Sequence, residues 1–239
     1  MEDEQPPIEA EDETSGTPET RIEKTERALK EYTVLLDDTW GIKNQDDQYI
    51  DEINGKAGTL ARIVDDNPGN DGDYYRLVSI KDELVEQVGR QMISLEDISA
   101  NLVFPAENVR DEIIGLLRQI ETEQDAQELQ RLKTQAIDSF QTAVIDLANK
   151  RQEASQARSA IYNVAADNEG SLGYGVADDL TENYRRESRR FSDGVQVLNI
   201  QMDRLGTNFL KNNNEHLENF SRILDEISLD YSGNPPQST

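Results

Sequence analysis

A chain of 239 residues with 49 Asp and Glu against 24 Lys and Arg carries a formal charge of −25 and contains no cysteine. The missing cysteines exclude disulfides, thiol nucleophiles and thiolate metal sites together. No apolar run exceeds three residues, as at Leu102-Val103-Phe104, whereas a membrane-spanning helix needs roughly 20 mostly apolar residues.

Residues 1–18 are rich in Glu, Asp, Pro and Thr, with Ile8 as the one large aliphatic after Met1, and are expected to form a disordered acidic tail. They also lack the basic and apolar regions of a signal peptide, so a cytoplasmic location is expected. Helical spacing begins near Glu19. Ile22, Leu29, Tyr32, Leu36 and Trp40 recur at helical steps, with Asp37-Asp38 and Gly41 predicted to end the element. Ile50, Ile53, Ala57, Leu60 and Val64 define a second segment, weakened by Gly55 and Gly58, so 19–64 is predicted to be a helical hairpin.

Asp65 to Asp73, with Pro68 and Gly69, is a loop by composition, and Asp73 is the expected N-cap of the next helix. Leu77, Ile80, Leu84, Val88, Met92, Leu95, Ile98 and Leu102 form the seam of that helix, which Pro105 is expected to stop. From Ala106 a stripe runs through Val109, Ile113, Leu116 and Ile120, lapses over Glu121–Gln127, and resumes from Leu129 to Val164. It predicts one helix or two nearly collinear ones, on the order of 90 Å long if continuous. Asp167 to Gly175 should reverse the chain. A final long helix runs from Leu180 to Ile227, then a polar tail, 231–239, containing Gly233-Asn234-Pro235-Pro236.

Together these segments predict an all-α protein, an elongated antiparallel bundle or coiled coil. Residues 73–230 form its long-helix part, and the helix over 73–104 is the third member beside the two longest.

The sequence carries no catalytic signature, so no enzyme is expected. His216 is the single histidine, and its neighbours Glu215 and Glu218 point in other directions around a helix, so an exposed or capping role is expected. The Asp-rich loop fails the EF-hand pattern, offering Gly69, Asn70 and Arg76 where a ligand, Gly and Glu are required. An irregular divalent-cation site there is the alternative to a solvated turn. Gly170 to Gly175 follows a helix and has no adjacent Lys, which excludes the phosphate-loop and dinucleotide patterns. No metal ligands and no cofactor are expected.

The basic residues are 16 Arg and only 8 Lys. Acid excess with scarce Lys fits a salt-rich cytoplasm, of a halophile or its virus; the alternative is an ordinary acidic protein whose tail inflates the count. Direct binding to nucleic acid is not expected, because that affinity comes from Lys and Arg neutralising phosphates. Arg185, Arg186, Arg189 and Arg190 stack at i, i+4 into one guanidinium band. It is read either as a patch for a partner's acids, a phosphate or a lipid head group, or as intramolecular charge neutralisation. The long seams suit a non-enzymatic scaffold or adaptor acting through helix–helix association with a protein partner or with itself. The alternative is a peripheral membrane- or phosphate-binding module using the arginine band.

Overall fold

The computed structural model describes residues 19–172 and 179–229, and these form five helices: α1 (Arg21–Asp65), α2 (Gly72–Ala100), α3 (Phe104–Thr122), α4 (Ala126–Ser171) and α5 (Asp179–Asp225). The acidic tail, the segment 173–178 and the C-terminal tail lie outside the described residues. Among the described residues there is no strand, and the all-α bundle is as expected.

Four rods make the bundle. Helix α1 runs its full length; α2 and then α3 return beside it as one interrupted rod. Helix α4 runs parallel to α1, and α5 returns. Each rod packs on two neighbours: α1 and α4 both touch α5 on one side and α2 and α3 on the other. At 1.5 Å per residue, α1, α4 and α5 are each about 70 Å long.

The expected hairpin over 19–64 is a single 45-residue helix, α1. Its buried seam follows Arg21, Thr25, Ala28, Tyr32, Leu35, Thr39, Ile42, Asp46, Tyr49 and Ile53 in steps of four and three. Three of those positions between Thr25 and Asp46 are polar, so hydrophobicity alone cannot trace it. Ile22 and Trp40, assigned to the core from their spacing, lie 55% and 44% exposed on the outside. Gly41 sits in open space on the same helix; a glycine in a helix costs about 1 kcal/mol, which tertiary packing overrides.

The collinear reading of 106–166 is also corrected. Helices α3 and α4 fold back on each other across 123–125, where Glu123 adopts an extended backbone and Asp125 caps α4 by accepting from the Glu128 N–H at 2.8 Å. The polar lapse in the stripe is therefore a reversal, and the bundle has four rods where three were expected. Asp71 rather than Asp73 caps α2, accepting from the Tyr74 N–H at 2.8 Å. Pro105 falls in the first turn of α3, where its missing N–H costs nothing. Helix α4 runs on through Gly170 to Ser171, into the segment expected to be turn.

Helix ends are satisfied by identifiable groups. Thr20 and Glu23 form a reciprocal capping box at the start of α1: the Glu23 N–H donates to Thr20 Oγ1 and the Thr20 N–H to Glu23 Oε2. At the same end of the bundle Arg21 donates to the carbonyls of Ile120, Glu123 and Ser228, and Lys133 to that of Ile227 at 3.1 Å. Cations there complement the C-terminal ends of α3 and α5.

The core is divided. One hydrophobic cluster fills the end holding the chain's first helical turns, and Phe140 at its centre meets Tyr32 and Phe220 edge-on at 5.1 and 4.9 Å, joining α4 to α1 and α5. A second cluster fills the opposite end around Ile53, Leu84, Leu95, Ile161 and Val195. Charged and polar side chains separate the two.

A buried charge layer as the candidate functional site

Three charged residues fill the middle of the bundle: Asp46 from α1 and Arg151 and Arg158 from α4, exposed by 0, 3 and 2%. Arg151 and Arg158 are seven residues apart, two turns on one helix face, so both reach the same interior layer. Arg151 Nη1 and Arg158 Nη1 each donate to Asp46, the latter at 3.1 Å. Arg158 Nη2 also reaches Asp203 of α5 at 3.3 Å, and the Ser155 hydroxyl donates to the same carboxylate oxygen at 3.1 Å. Asp203 sits at the rim with a half-exposed carboxylate, whereas Asp46 is sealed inside.

Neighbouring polar contacts frame the layer. Tyr49 donates to Asn199, whose amide donates to the Arg158 carbonyl. Ser99, in the last turn of α2, donates to Asp47 at 2.7 Å, and Lys43 pairs with Asp47. The polar middle of the bundle thus lies level with the interruption between α2 and α3.

Burial pushes the Asp46 carboxyl above its ordinary range, opposed by the charges of Arg151 and Arg158; burial likewise pushes Arg151 down, opposed by Asp46. Moving each ion into a low-dielectric interior costs several kcal/mol, so the layer depends on the charges being paired. Pairing is incomplete on the arginine side. Arg151 Nε and Nη2 and Arg158 Nε are buried without hydrogen-bond partners among the described residues.

The layer opens on one side into a groove between α4 and α5 of about 440 Å³, lined by Arg151, Arg158, Ser155, Asp203, Gly206 and Thr207 among others. Gly206 lies directly over Arg151: a Cβ there would sit 3.5 Å from Nη2 and 3.6 Å from Nε.

The arginine band lies elsewhere, on the far part of α5, and its members are matched by acids. Arg185 pairs with Glu182, Arg186 with Glu187 at 3.5 Å, Arg189 with Glu169 of α4 at 2.9 Å, and Arg190 with Glu187 at 2.5 Å. These contacts are the ones intramolecular neutralisation calls for. His216 packs against acids of α1 rather than those beside it in sequence, with Nδ1 2.8 Å from Glu31 and Nε2 3.8 Å from Asp38. In the Asp-rich loop, Asp65 is held by the Lys81 ammonium at 2.7 Å and Asp71 is occupied as a cap. Among the described residues no group of three or more Asp, Glu or His is placed to hold a metal ion.

Apolar spacing alone does not reveal the charge layer, because Asp46, Arg151 and Arg158 look like gaps in apolar stripes. A signal is nonetheless present: Leu147, Arg151, Ala154, Arg158 and Ile161 keep the four–three spacing without interruption, which puts two arginines on an inward-facing seam. No helix among the described residues is long and apolar enough to cross a membrane. Comparison with protein-family models, with curated proteins and with solved structures finds no match to this chain.

Proposed function

We propose that this protein is a non-catalytic helical scaffold or adaptor, a rod that holds a protein partner along its outer surface. The observation that carries the reading is that the four rods fill one another's seams for about 70 Å within one chain. The helix–helix association foreseen from the sequence is thereby used up in making the rod, which leaves its length and outer face for work. That face is strongly acidic, with apolar points such as Trp40, Phe104, Val197 and Ile200 standing out at about half exposure. Aromatic side chains of this kind are favoured anchors in protein interfaces. The acid excess favours a salt-rich cell, where repulsion across the rod is screened. The arginine band supports a membrane or phosphate surface less well, because its guanidiniums have acidic neighbours in the same chain.

Light scattering across a size-exclusion peak, in low salt and in molar KCl, should return the 27.0 kDa monomer. A photo-crosslinking residue placed in turn at Trp40, Phe104, Val197 and Ile200 in the native cell should then trap one protein at a subset of positions. Trapping at none of them, or a turnover activity mapped to the rod, would defeat the scaffold reading. Liposome flotation lost on replacing the four band arginines by Ala would favour the membrane reading instead.

A further inference from the structure

At the level of the charge layer every rod turns a polar or very small residue inward. On α1 the one buried side chain between Ile42 and Tyr49 is that of Asp46, and on α5 the one buried residue between Met202 and Phe209 is Gly206. Ser99 holds the equivalent place between Leu95 and Leu102, at the junction of α2 with α3. On α4 the stretch from Leu147 to Ile161 buries only Arg151, Ala154, Ala157 and Arg158. In each rod the boundary between the two hydrophobic clusters falls here. Ile42, Leu102, Leu147 and Phe209 belong to one cluster, and Tyr49, Leu95, Ile161 and Met202 to the other.

The contacts between rods at this level are polar as well. Ser99 reaches Asp47 between α2 and α1, and Tyr49 reaches Asn199 between α1 and α5, both at 2.7 Å. Helix α4 is grooved on both sides. Besides the groove it shares with α5, a second of about 450 Å³ separates it from α2, lined by Gln91, Ser94, Asp97, Glu153 and Gln156 among others. Apolar burial is the main force that makes a core cooperative, and little of it spans this level. The three unbroken helices do not carry order across by themselves, since a helical segment in water is marginal without an apolar face to pack. The fourth rod is interrupted here, between Ala100 and Phe104. Opening at this level exposes little apolar surface. It also lets water solvate the buried ions and the arginine N–H groups that lack partners among the described residues.

We propose that the charge layer is a joint. It divides the rod into two units that open independently, so that one half can loosen while the other keeps its packing.

The test is hydrogen exchange of the full chain read by mass spectrometry, which reports opening segment by segment. Leu84→Ala, in one cluster, should speed the slowest-exchanging amides of α2 and of residues 157–165 at least about thirtyfold, leaving those of residues 129–147 within about twofold of wild type. Leu132→Ala, in the other cluster, should do the reverse. Where an alanine variant fails to fold, Ile161→Val and Ile113→Val give the same comparison at about threefold. Asp46→Leu with Arg151→Met and Arg158→Met fills the layer with apolar contact, and in that background Leu84→Ala should speed exchange in both halves. Separate responses in the native chain, with a shared response in the apolar background, establish the joint. A native chain in which either substitution speeds both halves alike overturns it, and so does an apolar background in which the halves still respond separately.

Discussion

Asp46 of α1 and Arg158 of α4 meet at 3.1 Å in the buried middle of the bundle, between two separate hydrophobic clusters. The pair, with Arg151, ties α1 to α4 at this level of the bundle, because any one of the three charges left unpaired in the interior is costly. Removing one partner should therefore be far more damaging than removing all three. Asp46→Ala is expected to cost about 3–5 kcal/mol, whereas Asp46→Leu with Arg151→Met and Arg158→Met should match or exceed wild type by about 1–4 kcal/mol. Urea unfolding of the single and triple variants checks the contrast. A triple variant no more stable than Asp46→Ala would mean the layer contributes more than its desolvation removes.

Asn213 of α5 is completely buried, and neither atom of its amide finds a partner among the described residues. Replacing it with a similarly sized apolar group removes that penalty, so Asn213→Leu should stabilise by about 1–3 kcal/mol. The unfolding midpoint in urea should rise with its slope unchanged. A fall in stability would show that the amide is satisfied in solution.

Three buried tyrosines predict the alkaline limit. Burial pushes the Tyr184 hydroxyl up to about 12, opposed by the Asn168 hydrogen bond and Lys81, and burial pushes Tyr32 and Tyr49 up further still. The folded form holds these protons more tightly than the unfolded chain, in which tyrosine ionises near 10. Their contribution to stability is thus complete below about pH 10 and is lost as pH climbs from there through 12 and beyond. Tyrosinate absorbance should show three of the eight tyrosines titrating only with the loss of helical circular dichroism. Three early titrations in the folded state would refute it.

The arginine band should behave in the opposite way to the charge layer. Arg186, Arg189 and Arg190 have side chains more than 60% exposed, where solvent screening leaves each ion pair worth about 0–1 kcal/mol. Any one of Arg186→Ala, Arg189→Ala or Arg190→Ala should shift stability by no more than that. A loss as large as that of Asp46→Ala would assign the band a structural role its exposure does not explain.

Sequence by itself determined the helical class, the absence of long apolar spans and most of the seam in α2, α4 and α5, because apolar residues at four–three spacing have one favourable partner, another such face. Loop chemistry around Pro68, Gly69 and Pro105 was equally local and equally legible. What local pattern could not decide was how polar positions are used. Thr39 and Asp46 interrupt the stripe of α1 yet face inward: the Thr39 hydroxyl donates to the Leu35 carbonyl of its own helix, and arginines over 100 residues away in sequence make the buried Asp46 carboxylate tolerable. Glu121 to Gln127 reads as a lapse in one rod, but only packing of α3 against α4 turns it into a reversal. Trp40 satisfies a helical step and still points outward, since the true seam, through Thr39 and Ile42, was set by the neighbouring rods. Burying a charge or exposing an aromatic is a bargain struck between elements, and its terms are written only where those elements meet.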